Sequence, residues 1–256
     1  MSDRLLKSIE RQGDIENFLR FEFKYLLNRD RATLIRNDIE QFMSYDGHIG
    51  RDGDQNYYVR SLYFDNVRRE NFYEKIDGIK SRRKYRLRTY TSAPNAKVPI
   101  YLEEKNRLNN RVFKFRTQLA PESLAALETG ADILQQKEVY GDNLLFDRFA
   151  SRHLLRGERT VVMVDYFRRA FVSNYDVNFR VTLDSDIQAA PSKCLFGEMP
   201  NQRVSCMAGY TIMEIKFSRR VPSWFHRILQ SYQLQRISIS KYCKAMEACG
   251  LAVDLS

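Results

Sequence analysis

The chain has no apolar run approaching the roughly 18 residues that a membrane-spanning helix requires, and its polar start, Met1 to Gln12, lacks the hydrophobic region of a secretory signal. A soluble, cytoplasmic protein is the expectation. Cysteine is scarce: Cys194, Cys206, Cys243 and Cys249 show no CxxC spacing and no neighbouring histidine, which argues against a zinc or redox site and for reduced structural thiols. His48, His153 and His226 are scattered, and none is assigned a catalytic role. No Pro, Gly or Ser run marks an interior linker, and there is no internal repeat or low-complexity segment, so residues 1–256 read as a single domain. What is abundant is positive charge, 42 Lys and Arg against 32 Asp and Glu, for a net +10. That excess favours an anionic partner: nucleic acid, an acidic membrane surface or phosphate compounds. A specific nucleic-acid module is disfavoured, because there is no RNP-type strand motif or zinc finger and the aromatic residues alternate onto the apolar faces.

Those apolar faces belong to five stretches with the period of two that a half-buried strand requires. In Phe18 to Leu27, Arg20, Glu22 and Lys24 alternate with Leu19, Phe21, Phe23 and Tyr25. Lys84, Arg86 and Arg88 alternate with Tyr85 and Leu87, and Glu103, Lys105 and Arg107 follow Leu102 in the same way. Asn178, Arg180, Thr182 and Asp184 oppose Val177, Phe179, Val181 and Leu183, and Glu214 and Lys216 oppose Met213, Ile215 and Phe217. A surface meant only for solvation would mix signs evenly, whereas these charged faces are mostly basic with a few carboxylates among the cations.

Along the chain, a helix is expected from Arg29 to Met43 with Asn28 as its N-cap, then a Gly- and Asp-rich loop from Asp46 to Asp54, and a strand through Tyr57 to Phe64. Asp65-Asn66 opens a short helix ending near Gly78, where capping is the expected role. Strands at Lys80 to Tyr90, Ile100 to Arg107 and Arg111 to Gln118 read as a meander, followed by helices at Pro121 to Leu127 and Leu144 to Leu155. Thr160 to Phe167, Ala170 to Ser173 and Val177 to Leu183 read as strands, Gln188 to Ala208 as a polar loop, and Tyr210 to Ser218 as a last strand. Helices at Ser223 to Tyr232 and Ser240 to Ala248 close the chain. The class is α+β. The expected architecture is a closed antiparallel eight-stranded β-barrel tunnel with helices packed outside, because the apolar faces need helical cover and the charged faces are left to line the lumen.

Eight ordered blocks carry a family resemblance: Arg20-Phe-Glu-Phe-Lys-Tyr25, Ser61-Leu-Tyr-Phe-Asp-Asn66, Lys84-Tyr-Arg-Leu-Arg88, Leu102-Glu-Glu-Lys105, Arg168-Arg-Ala-Phe171, Arg180-Val-Thr-Leu-Asp184, Glu214-Ile-Lys216 and Ser240-Lys-Tyr242. From Leu19 to Tyr242 the chain resembles the VTC (vacuolar transporter chaperone) domain, the polyphosphate polymerase branch of the triphosphate tunnel metalloenzymes. The resemblance implies an eight-stranded tunnel, a triphosphate ligand and a divalent cation, Mn2+ or Mg2+. It also implies ATP, inorganic triphosphate or polyphosphate as partners, and a membrane-protein partner that would place the domain at the inner face of a membrane. One departure stands out: the superfamily signature Glu-x-Glu-x-Lys has Arg20 at its first position, leaving Glu22 and Lys24. Loss of that carboxylate argues against two-metal hydrolysis and fits the polymerase branch.

The resemblance and the chemistry of phosphate together nominate Lys24, Arg86, Arg88, Lys105, Arg168, Arg180 and Lys241 as phosphate ligands. Arg168 is preferred to Arg169 on the family block alone. Arg20, Tyr25, Lys84, Arg107, Lys216 and Tyr242 are further substrate-binding candidates. Glu214 is read as the metal ligand, assisted by Glu22 or Glu103; the alternative for Glu214 is an ion pair with Lys216 or another lumen base. Ser240 reads as a helix cap, and Lys241 in the first turn of that helix is electrostatically costly unless an anion is near. Arg82 and Arg83 default to a solvated face. The implied activity is transfer of the terminal phosphoryl of ATP to a growing polyphosphate chain. Hydrolysis of triphosphate and non-catalytic sensing of polyphosphate or inositol phosphates are the alternatives.

Overall fold

The computed structural model describes residues 20–46, 55–95, 97–109, 111–197 and 203–254. Phe18, Leu19, His48, Asn110, nearly all of the loop from Asp46 to Asp54 and part of the stretch from Gln188 to Ala208 lie outside the described residues. The chain folds as β1 (Phe21–Asn28), α1 (Arg29–Glu40), β2 (Met43–Tyr45), β3 (Tyr57–Asp65), α2 (Glu70–Ile76), β4 (Ser81–Thr89), β5 (Ile100–Leu108) and β6 (Arg111–Leu119). A 3-10 turn (Pro121–Ser123) leads to α3 (Leu124–Thr129), α4 (Ile133–Tyr140) and α5 (Leu144–Arg156). There follow β7 (Arg159–Ser173), β8 (Arg180–Pro191), β9 (Val204–Ser205), β10 (Tyr210–Phe217), α6 (Ser223–Ser231) and α7 (Lys241–Ala248). The α+β class is as expected.

The closed eight-stranded barrel is not. The strands form one ten-stranded antiparallel sheet in the order β1-β10-β8-β7-β3-β4-β5-β6, with β2 added to β7 and β9 to β8. Among the described residues β1 and β6 share no ladder, only the isolated bridge Arg20–Val112 with backbone hydrogen bonds of 3.3 and 3.1 Å. A period-two pattern tells which face of a strand is charged, but whether the last edge pairs with the first depends on the twist and register accumulated over every ladder between them. The sheet does curl far enough that residues of β1 and of β6 line the same cavity.

Other differences have local causes. The expected helix to Met43 stops at Glu40, since Met43–Tyr45 pairs with β7 from Ser173 to Phe171. The two strands expected between Thr160 and Ser173 are one, because Arg168 stays in the ladder opposite Tyr57 and Asp184. β8 continues to Pro191 through residues read as polar loop, and its extension pairs with β7 and β9. Helix α4, unassigned in the sequence, buries only Ile133 and leaves Leu134 and Val139 exposed, so it lacks a strong apolar stripe.

Two apolar clusters cover the outer face of the sheet, and a third lies on the concave face beneath α2 and α7, bordering the cavity. Phe179, Val181, Met213 and Ile215 pack beneath Ile35 and Ile39 of α1 and Phe225 and Ile228 of α6. Leu62, Tyr85, Leu87 and Leu102 pack beneath Phe146, Phe149 and Ala150 of α5. Val59, Val164 and Ile212 meet Phe72 of α2 and Ala245 and Met246 of α7. His153 belongs to this scaffold: it is buried, its Nε2 lies 3.3 Å from the Gly130 carbonyl, and its ring occupies the space of a Cβ at Gly130, 2.4 Å away. Gly130 has φ +75°, so the close approach and the backbone both call for glycine.

The covering helices are therefore a stability requirement of the charged interior. Phe149→Ala, which empties a fully buried site between Phe64, Tyr85 and Phe146, should lower stability by about 3–5 kcal/mol in urea denaturation. A loss under about 1 kcal/mol would mean that α5 is not what seals this face.

Candidate functional site

A cavity of about 460 Å3 lies on the concave face of the sheet. Its wall holds Arg20, Glu22 and Lys24 of β1, Arg82, Lys84, Arg86 and Arg88 of β4, Lys105 and Arg107 of β5, Arg168 of β7, Arg180 of β8, Glu214 and Lys216 of β10, and Lys241 and Tyr242 of α7. Strand alternation places them there. Across β4, β5 and β6 the register sets Lys84 opposite Lys105 and Lys105 opposite Lys114, three like charges in one cross-strand row. Directly opposed like charges destabilise a sheet, so such a row suits an anion that lies across it.

Four carboxylates, three of them buried and Glu22 partly so, hold the cations in place. Glu103 is fully buried and takes Arg86 at 2.6 Å, Lys114 at 2.5 Å and Arg88 at 3.6 Å. Asp184, equally buried, takes both arms of Arg168 at 2.6 and 2.8 Å and Lys241 at 2.5 Å. Glu22 accepts from Lys105 with both oxygens, at 2.9 and 3.0 Å, and lies 3.2 Å from Lys24. Glu214 lies 2.8 Å from Lys216 and 3.5 Å from Lys24. Burial alone would raise the pKa of each of these carboxyls, yet the surrounding cations hold Glu103, Asp184 and Glu214 well below the ordinary range and lower Glu22 too. Burial likewise opposes the charge on Lys24, but Glu22 and Glu214 raise its pKa instead.

Lys84 is held differently. Its ammonium sits 4.4 Å from the centre of the Tyr242 ring and 3.8 Å from Cys243 Sγ, and burial lowers its pKa. The Tyr242 hydroxyl donates to Asp65, which also accepts from the backbone of Asn71 at 3.0 Å and Phe72 at 3.3 Å. Asp65 thus supports α2, as a capping residue would, and also ties α7 to the sheet. Arg180 pairs with Asp46, and Arg82 donates to the carbonyls of Ile79 at 2.5 Å and Glu74 at 3.4 Å.

Two candidates are placed elsewhere. Tyr25 follows Lys24 by one residue, so it points to the opposite face and lies in the apolar cluster with Ile35 and Ile39. Glu103 is paired with three cations and is not among the residues that line the cavity. Tyr242 borders the cavity with its ring, its hydroxyl being turned to Asp65. Arg168 lines the cavity with Tyr166 and Ala170 by plain alternation along β7, which sets it apart from Arg169; the bulge opposite, where two β7 steps meet three β8 steps, lies in β8. The same cavity holds residues the sequence reading missed. Lys114 and Arg116 alternate with Phe113 and Phe115, the period-two signal in plain form. Tyr63, which accepts from Arg86 at 3.0 Å, Tyr166, which accepts from Arg88 at 3.1 Å, and Lys75 carried no comparable signal. Arg82, assigned to solvent, also lines the wall, whereas Arg83 turns outward to Glu104 at 2.7 Å.

A divalent cation fits Glu214 and Glu22 on adjacent strands better than Glu103. Thr182, cross-strand neighbour of Glu214, carries a buried Oγ1 with no hydrogen-bond partner and adds a third oxygen nearby. Among the described residues no group of three or more His, Cys, Asp and Glu could hold a metal without help. Mg2+ commonly binds through one or two carboxylates together with substrate phosphate oxygens, and this donor set matches that pattern.

Lys114 gives the site a pH dependence. Burial lowers its pKa to about 8, with Glu103 opposing and Arg88 and Arg86 adding to the fall. Below that value it contributes a positive charge to the row with Lys84 and Lys105, and above it the charge is lost. Tripolyphosphate affinity, measured by calorimetry, should therefore fall between about pH 7 and pH 9, and Lys114→Gln should flatten that change. In the unfolded chain the same amine keeps its proton to about pH 10.4, so its contribution to stability rises over the interval between the two values. Equal slopes for the parent and the variant would remove Lys114 from the anion site.

Comparison with known proteins agrees with this geometry. No curated protein matches the sequence. In fold, the chain is similar to a Bacillus halodurans protein provisionally assigned as an adenylate cyclase, with 12% identity, TM-score 0.51, and 87% of this chain and 94% of that one covered. It is similar also to a Hippeastrum protein named as an adenylyl cyclase and found to have a dominant triphosphatase activity, with 11% identity, TM-score 0.54, and 90% and 96% covered. Such distant similarity speaks for the fold alone. The family model for the VTC domain, however, matches residues 19–249, and with nearly the whole chain inside that match the protein belongs to the VTC domain family.

Proposed function

We propose that this domain is a polyphosphate polymerase that transfers the terminal phosphoryl of ATP to a growing polyphosphate chain. The observation that carries this reading is the inward row of β4, where Arg82, Lys84, Arg86 and Arg88 all line the cavity. At about 3.3 Å per residue the row extends for about 20 Å, a basic track longer than three linked phosphates. Arg20 in place of a carboxylate extends the same preference for anion over metal.

In the transfer, a terminal oxygen of the acceptor chain forms a bond to the γ-phosphorus while the bond from that phosphorus to the β,γ-bridging oxygen breaks, and ADP leaves with the electron pair. No covalent intermediate on the protein is required. Lys84, Arg86, Arg88, Lys105, Arg168, Arg180 and Lys241 are proposed to hold the phosphoryl oxygens in line and neutralise charge as it spreads, the main demand of phosphoryl transfer. Lys24 positions Glu22 and Glu214 through its two ion pairs. Glu214, with Glu22 and Thr182 beside it, would hold Mn2+ or Mg2+, which when bound supplies further charge neutralisation at the phosphates. Among the described residues no helix is long and apolar enough to cross a membrane, so any membrane association is proposed to run through a partner protein.

Hydrolysis is the second reading, and the choice turns on whether water or a phosphate chain end reaches the transferred group. Incubation of the protein with ATP and Mn2+ or Mg2+, followed by separation of polymer, phosphate and ADP, distinguishes the two. Polymer with one ADP released for each phosphoryl group incorporated is expected; free phosphate without polymer would establish hydrolysis, and no turnover would leave a binding protein. Glu214→Gln keeps the side-chain size and removes the charge. It should abolish metal-dependent turnover while metal-free tripolyphosphate binding stays equal or improves. Turnover at the parent rate would place the cation elsewhere.

A further inference from the structure

The carboxylates that neutralise the wall are not spread evenly along it. Glu103, Asp184, Glu22 and Glu214 meet the cations described above, but none of them pairs at the end of β4 and β5 where Arg82 stands directly opposite Arg107. Lys75 reaches the same end of the cavity from α2. Among the described residues these three half-buried cations have only neutral oxygens as hydrogen-bond partners. Arg82 donates to the Ile79 and Glu74 carbonyls, Arg107 to the Asn109 carbonyl at 2.8 Å, and Lys75 to Ser238 Oγ at 3.0 Å. Lys84, the next inward residue of β4, rests against the Tyr242 ring and Cys243 Sγ. Glu74 precedes Lys75 in the chain, yet its carboxylate meets Arg156 at 3.6 Å. Burial lowers the pKa of Lys75 and of Arg82, and Arg107 adds to the fall in both.

Like charges directly opposed across two strands destabilise a sheet, and partial burial without a counter-charge adds to the cost. The unmet demand for negative charge is therefore greatest at this end, about 13 Å along β4 from Arg86. We propose that Lys75, Arg82 and Arg107, with Lys84 behind them, form a second anion subsite that holds a linear polyphosphate chain beyond the reacting phosphates, so that the chain leaves the cavity between α2 and the end of β5. A nucleotide presents a sugar and a base where its phosphates end, whereas each internal unit of polyphosphate is ionised and can continue the row from Arg86 to Arg82. Lys75 is the member added by a helix, so the subsite depends on α2 packing beside β4. The polymerase reading supplies the name of the chain as product, and the measurement below does not depend on it.

The test compares two ligands by calorimetry in metal-free buffer: tripolyphosphate, and polyphosphate tens of units long. Lys75→Gln, which keeps a donor for Ser238 and removes the charge, should weaken the long chain about five- to tenfold and leave tripolyphosphate within about twofold. It should also make the affinity for the long chain less sensitive to salt. Lys75→Arg, which keeps the charge, should match the parent. Arg107→Gln is the second variant should Lys75→Gln fail to fold, with the same expectation. Equal weakening of both ligands, no weakening of the long chain, or a loss in Lys75→Arg as large as in Lys75→Gln overturns the subsite. Because binding alone is read, a parent protein that makes no polymer from ATP overturns the polymerase reading, while a length-selective loss still supports the subsite. A parent that makes polymer but shows no length-selective loss on substitution overturns the subsite alone.

Discussion

Everything in this molecule depends on keeping a dense set of cations buried in a curved sheet without substrate. Isolated ammonium or guanidinium groups removed from water cost several kcal/mol each unless paired. Glu103 and Asp184 meet that demand by serving several partners at once: Glu103 is shared by Arg86, Arg88 and Lys114, and Asp184 by Arg168 and Lys241. Neither carboxylate is among the residues that line the cavity. They keep the basic wall charged and in position, and the excess of bases over carboxylates is what the proposed phosphate ligand would complete.

The same constraint explains the division between the two carboxylates on β1 and β10 and those deeper in the wall. Glu22 and Glu214 meet lysines, whose compact ammonium groups are carried on flexible stems. A lysine stem has more rotatable freedom than an arginine held by both arms, which is consistent with the proposed role of Glu22 and Glu214 toward a cation. Arg168, with both arms on Asp184, is held rigidly by comparison.

Much of the wall was legible in the sequence, because side-chain direction in a strand follows parity alone. Arg20, Glu22, Lys24, Lys84, Arg86, Arg88, Lys105, Arg180, Glu214 and Lys216 come together as the alternation requires. Parity also explains where Tyr25 goes, since a residue next to an inward lysine cannot itself point inward. Lys114 and Arg116 carried the same signal and needed only the same reading. Tyr63, Tyr166 and Lys75 could not be found that way: an aromatic at an inward position looks like any core residue, and Lys75 reaches the cavity from a helix.

By itself the amino-acid sequence determined the α+β class, the faces of the strands and the charge of the interior, because these follow from local periodicity and composition. Tertiary structure decided what depends on residues distant in the chain. Among the described residues it left the seam between β1 and β6 joined by the single bridge Arg20–Val112 instead of closing a barrel, since edge pairing sums small twists over all the intervening strands. It surrounded Glu103 with Arg86, Arg88 and Lys114, and so made a carboxylate that looked like a metal ligand into a support for cations. It also brought Tyr57 and Tyr90 together on the cavity wall, because antiparallel register aligns the end of one strand with the beginning of the next.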